Sequence, residues 1–155
     1  MATYTSFEEL PIWQQARLLN KEIIGIAKRP ALSKEFRFCS QIKSAAGSVM
    51  DNIAEGFERD SNLEFINHLS YAKGSIGEVR SQLYRAFDES FIGEEEQKSL
   101  NNWYTVLASD IANLIKYLNQ CEIRGLKFAG RNSSATAKKS EPAKPFLQPH
   151  DNQKL

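Results

Sequence analysis

The chain has 155 residues, of which 41% are hydrophobic and 25% charged, with 20 Lys+Arg against 19 Asp+Glu. This is the size and composition of one globular domain, with a core large enough to fold without a metal or a disulfide framework. A net charge of +1 argues against a generally basic nucleic-acid binder, and Cys39 and Cys121, outside any CxxC spacing, exclude a disulfide scaffold.

No apolar run approaches the roughly 20 residues of a membrane span. The opening MATYTSFEELPIW has no basic segment followed by an apolar one, so no signal peptide is expected. The expectation is a cytoplasmic protein with reduced thiols and no membrane partner.

Helical periodicity dominates. Ile12, Ala16, Leu19, Ile23 and Ile26 step by three and four, which places them on one helix face. Pro11 suits the first turn of this helix, and Arg29-Pro30 ends it. Ile42, Ala46, Val49 and Ile53 form the stripe of a second helix. It opens at Ser33 or Lys34, and Gly56 is placed as its left-handed C-terminal residue. Ser61-Asn62-Leu63-Glu64 reads as a capping box for a third helix carrying Ile66, Leu69, Ala72, Ile76, Val79 and Leu83. Gly93 breaks the chain. Glu94, Glu95 and Glu96 then occupy the first turn of a fourth helix, where the helix dipole favours anions. Its stripe runs from Leu100 through Tyr104, Leu107, Ile111, Leu114 and Leu118 to Cys121.

The predicted helices are about 11–29, 34–56, 62–90 and 94–126, with no strand. Short connections force antiparallel neighbours, so the fold class is all-α, an antiparallel up-down-up-down four-helix bundle. The domain is expected to span residues 1–130. Residues 131–155 hold five Lys+Arg against Glu141 and Asp151, with three prolines and one apolar pair, Phe146-Leu147. They read as a disordered basic tail.

Charge is partitioned within the domain. Residues 1–43 carry seven Lys+Arg against four Glu, whereas residues 51–110 carry five against twelve Asp+Glu. An anion-binding surface is therefore expected on the first helix and the start of the second. Its candidates are Arg17, Lys21, Lys28, Lys34, Arg37 and Lys43.

Few residues carry chemistry. A carboxylate-bridged di-metal site in a bundle needs two Glu-x-x-His pairs, but His68 is the sole histidine before the tail, and Glu64 precedes it by four residues. Arg59 and His68 are too far apart in sequence for the Arg–His pair of a helical RNase. No phosphate loop, Ser/His/Asp set or zinc spacing occurs. We expect no catalytic residue, no metal and no cofactor.

A polar stripe stands out. Ser44, Ser48, Asn52, Glu55 and Arg59 recur on helix two, and Ser75, Glu78, Gln82 and Arg85 on helix three. Ala45, Ala46, Gly47, Gly74 and Gly77 sit beside them. Interior helix glycines cost about 1 kcal/mol against Ala, so close approach of two backbones is the expected reason. Glu55 and Glu78 are a carboxylate pair without a nucleophile or metal ligand, so a structural polar seam through Ser48, Asn52, Glu55, Arg59, Ser75 and Glu78 is the reading preferred over catalysis. Trp13, Phe87, Phe91 and Trp103 add apolar bulk beyond the heptad positions, which points to self-association.

Several segments carry a resemblance: Phe7-Glu8-Glu9-Leu10, Ile12-Trp13-Gln14-Gln15-Ala16, the run QIKSAAGSVMDNIAEG from Gln41 to Gly56, and Ala72-Lys73-Gly74-Ser75 with Glu78 and Gln82-Leu83. Over residues 5–125 the chain resembles the four-helix bundle proteins encoded in intervening sequences of large-subunit ribosomal RNA genes. It is also similar to the accessory variability determinant of diversity-generating retroelements. The resemblance implies a homopentameric barrel of bundles and no enzyme. For the retroelement relatives it also implies binding to nucleic acid, RNA or DNA, and to a reverse transcriptase through a basic surface. The chain departs from that pattern in having Val49-Met50 where many relatives carry Ile-Pro, and in Lys43 standing alone after Gln41. The function expected is that of a non-enzymatic oligomeric accessory protein; the alternative is a protein–protein interaction module that binds no nucleic acid.

Overall fold

The computed structural model describes residues 4–120, and they are all-helical. Four long helices dominate: α1 (Pro11–Ala27), α2 (Phe36–Glu58), α3 (Asn62–Asp88) and α4 (Glu94–Gln120). The expected continuation of α4 to residue 126, the rest of the domain to residue 130 and the tail 131–155 lie outside the described residues.

Each terminus has a local cause. Leu10 is extended at φ −67, ψ 123, and Pro11 takes the first helical position of α1, where its missing N–H costs nothing. A 3-10 turn at Phe7–Glu9 leads in, closed by Leu10 N–H donating to Phe7 O at 3.0 Å. α1 ends two residues before the expected position, at Ala27, as Arg29 N–H turns back to Ile26 O at 3.0 Å.

α2 starts at Phe36, not at Ser33 or Lys34. The intervening residues Leu32–Lys34 form a 3-10 turn that buries Leu32 completely. The buried Cys39 thiol donates to Leu32 O at 3.0 Å, tying the turn to the helix. Ser61 caps α3 by accepting from Glu64 N–H at 3.4 Å, as the Ser-x-x-Glu spacing predicts.

The end of α3 rests on a residue the periodicity did not single out. Ser90 has φ 60, the left-handed region. Phe91 N–H reaches Ala86 O at 2.8 Å and Ser90 N–H reaches Phe87 O at 2.9 Å. Those two bonds make a Schellman closure with serine where glycine is usual. Gly93 follows three residues later, and its carbonyl accepts from Gln97 N–H at 3.0 Å in the first turn of α4.

Cross-helix pairs set the topology. Arg29 meets Glu96 while Gln15 meets Asp110, so α1 and α4 are antiparallel. Ser48 meets Ser75 while Asn52 meets His68, so α2 and α3 are antiparallel too. Each helix packs on the next, and α1 returns to α4, an up-down-up-down bundle. One apolar cluster runs its length, with Ile23, Ile42, Val49, Ile53, Leu69, Val79, Leu83, Leu107 and Ile111 wholly enclosed.

Two glycine expectations are corrected. Gly56 does not cap α2: it lies inside the helix, which ends at Glu58 with Arg59 extended behind it. It is buried against α3, where a Cβ would collide with His68 and Phe65. Gly47, Gly74 and Gly77 are not points of close approach, because a Cβ on any of them would meet nothing within 4 Å. The apolar expectation also changes. Trp13, Phe91 and Trp103 lean on the core and are partly buried. Phe87 is exposed as expected, and among the described residues the other large exposed apolar side chains are Phe36, Leu63, Tyr71 and Tyr84.

Candidate nucleic-acid interface and polar seam

α1 buries Ile12, Ala16, Leu19, Ile23 and Ile26, so the opposite face is left to water. Arg17, Lys21 and Lys28 are exposed on it, within about 40° of one another at 3.6 residues per turn. The Arg17 guanidinium lies over the Trp13 ring, 5.8 Å from its centre, and Trp13 packs edge-on against Phe7 at 5.1 Å. This stack braces one end of the basic stripe. Lys34, Arg37 and Lys43 are exposed at the start of α2. The residue between the two groups, Arg29, is occupied by a paired contact to both oxygens of Glu96, which raises the guanidinium pKa.

The polar seam is a chain of hydrogen bonds along the α2–α3 contact. Ser48 Oγ and Ser75 Oγ are 2.9 Å apart. Asn52 Nδ2 donates to Ser48 O at 2.8 Å and to Ser48 Oγ at 3.0 Å. Its amide oxygen is thereby turned to His68 Nδ1, 3.2 Å away. An amide oxygen only accepts, so Nδ1 carries the proton. In the neutral ring, Nε2 is then the bare nitrogen, 3.8 Å from Glu55 Oε1. Glu55 accepts from Arg59 Nη2 at 2.6 Å, and Arg59 Nη1 lies 3.9 Å from Glu64. The bond from Arg59 holds the Glu55 carboxyl below the usual carboxylate range, and the His68 ring adds a smaller pull only in its charged form.

The seam therefore joins Ser75, Ser48, Asn52, His68, Glu55 and Arg59. Glu78 is not brought into it: it is exposed and accepts from Gln82 Nε2 on its own helix at 3.3 Å. Ser44 is exposed as well. His68, which the sequence raises only as a metal ligand or an RNase histidine, is a member of the seam that the residue pattern missed. The signal present was its spacing of four from Glu64 and its place on the face that crosses Gly56.

A second polar group lies between α3 and α4. Gln82, Gln97 and Asn101 are buried, and Arg80 Nε donates to Asn101 Oδ1 at 3.0 Å. The Tyr104 hydroxyl is buried without a protein hydrogen bond, and burial raises its pKa well above that of a free tyrosine. Among the described residues no cluster of three or more His, Cys, Asp and Glu is arranged to hold a metal, and no helix is long and apolar enough to cross a membrane.

A solved structure from Bacteroides thetaiotaomicron, described as a protein of unknown function from the S23 ribosomal protein family, shares this fold. Its TM-score is 0.63 at 24% identity over 68% of this chain and 95% of that one. No curated protein matches the sequence. The model of the family described as 23S rRNA-intervening sequence protein matches residues 8–113, so the chain belongs to the 23S rRNA-intervening sequence protein family.

Proposed function

We propose that the protein is a non-enzymatic nucleic-acid-binding module that works as a homo-oligomer, a pentamer in our reading, alongside a nucleic-acid enzyme such as a reverse transcriptase. The observation that carries the binding is the exposed stripe of Arg17, Lys21 and Lys28 on α1, continued by Lys34, Arg37 and Lys43. Excess acid lies elsewhere in the domain, between residues 51 and 110. A basic face on an otherwise acidic body steers polyanions to that face. Repeating it around an oligomer turns weak single contacts into avidity.

The test is binding to labelled ribosomal RNA fragments across a salt series. Phosphate contacts give an affinity that falls steeply with salt. Arg17→Glu with Lys21→Glu should weaken binding and flatten that slope, while deletion of residues 131–155 should leave most of it. Loss on the tail deletion alone would place the binder there. Absence of salt-sensitive binding would favour a second reading, a protein-docking module. The exposed Leu63, Tyr71, Tyr84 and Phe87 of α3 support that reading. Light scattering tests the oligomer, and a lone 17.6 kDa species would overturn it.

A further inference from the structure

Among the described residues Phe36, the first residue of α2, is the large apolar side chain most open to water, at 82% exposure. Leaving a phenylalanine out of the core forgoes the free energy of burying its ring. Its neighbours along the chain are cationic: residues 28–43 contain five Lys+Arg against Glu35 alone. Arg29 is taken by Glu96, which leaves Lys28, Lys34, Arg37 and Lys43. On α2 itself Phe36, Ser40, Lys43 and Gly47 recur at intervals of four, three and four, one stripe about 60° wide. Ser40 and Lys43 are exposed, and Gly47 leaves open space where a side chain would stand. Lys43 lies about 10 Å along the helix from Phe36 at 1.5 Å per residue.

We propose that this stripe is a landing site for single-stranded nucleic acid: the Phe36 ring stacks on an unpaired base, and Lys34, Arg37 and Lys43 meet the phosphates beside it. The inference rests on the nucleic-acid reading above and names the form of the ligand. An aromatic ring among cations suits a strand that offers both a π-face and a phosphate backbone. In a duplex the base faces are already stacked on one another, so the ring has nothing to cover. An apolar protein partner fits less well, since covering Phe36 would also strip water from Lys34, Glu35 and Arg37.

The experiment is fluorescence anisotropy on the full chain with a labelled single-stranded RNA of mixed sequence and the duplex of the same sequence. Phe36→Ala should weaken single-strand binding about tenfold to a hundredfold and leave duplex binding unchanged. Phe36→Trp should restore it, and Lys34→Glu with Lys43→Glu should weaken both ligands. So exposed a side chain carries no folding role that its loss would confuse. Single-strand binding that survives Phe36→Ala overturns the stacking site and leaves the basic-face reading standing. No salt-sensitive binding by the intact protein overturns both. A Phe36→Ala protein of lower mass by light scattering overturns the inference another way, by placing the ring between copies of the chain.

Discussion

Gly56 and His68 meet where α2 crosses α3: a Cβ at position 56 would stand 2.6 Å from His68 Cβ and 2.9 Å from Phe65 Cδ2. The phenylalanine ring can turn aside, but His68 Cβ is fixed to the α3 backbone, so any side chain at 56 must push the helices apart. The same contact sets His68 beside Asn52 and Glu55, and thus assembles the polar seam.

Gly56→Ala is therefore expected to destabilise the protein. Overpacking costs about 1–3 kcal/mol, and better helix propensity offsets about 1 kcal/mol of that. Gly74→Ala should do the opposite, raising stability by about 0.5–1 kcal/mol, because position 74 is exposed and open. Thermal unfolding of the two variants checks the contrast. Equal melting temperatures would show that the α2–α3 crossing is not tight at Gly56.

Ser90 closes α3 in a left-handed conformation at φ 60. That region costs an L-residue with a Cβ about 1 kcal/mol or more. Ser90→Gly should keep both closing hydrogen bonds and stabilise the protein by about 1 kcal/mol in urea unfolding, with the denaturant slope unchanged. A loss of stability would mean that the serine side chain makes a contribution larger than the strain.

Tyr104 is 1% exposed, and its hydroxyl has no protein partner. A buried polar group left unpaired costs about 1–3 kcal/mol, so Tyr104→Phe should be neutral or stabilising by up to about 1 kcal/mol. In the wild type this tyrosine should ionise only as the protein unfolds in alkali, because burial opposes the phenolate. Spectrophotometric titration of the wild type against Tyr104→Phe reads that step directly, and a reversible ionisation of Tyr104 in the folded protein would contradict it.

Glu55 and Arg59 give a pH signature. The Glu55 carboxyl is held below its ordinary value of 4.5 chiefly by the Arg59 hydrogen bond. A carboxyl depressed in the folded state stabilises the fold above its unfolded pKa, and that part is lost as pH falls through the lowered value. Arg59→Met should thus melt below the wild type at neutral pH, with the gap closing on acidification below about pH 4. Both groups are about half exposed, so the gap should be small and should shrink in salt. A gap constant from neutral to acid pH would show that Arg59 acts through packing instead.

Asn52 is the joint of the seam. It donates twice to Ser48 and accepts from His68 Nδ1. Asn52→Ala removes these bonds and leaves the half-buried His68 without its acceptor, a loss of about 1–2 kcal/mol. Ser75→Ala breaks a single bond between two hydroxyls and should cost less. The order of the two melting temperatures is the test.

The helices themselves were legible because burial on one face imposes a period that a chain cannot hide. The stripes at Ile12–Ile26 and Ile42–Ile53, Pro11 at the first turn and the Ser61–Glu64 cap identify α1, α2 and α3 to within a few residues. The segregation of Arg17, Lys21 and Lys28 to one face was legible for the same reason. Local signals, however, say nothing about what lies across a helix contact. The sequence suggests close approach at Gly47, Gly74 and Gly77 and a helix end at Gly56, yet the packing of α3 decided that Gly56 is the crowded one and the other three are open. The residue pattern puts Glu78 in the seam and leaves His68 out. The crossing at Gly56 drew the histidine into the seam and left the glutamate in solvent. The exposure of Phe36 followed from a 3-10 turn that shifts the start of α2. Periodicity fixes which residues face inward on each helix, because that depends on neighbours three and four apart. Which inward and flanking residues meet depends on crossing point and register between helices, and those arise only when the helices pack.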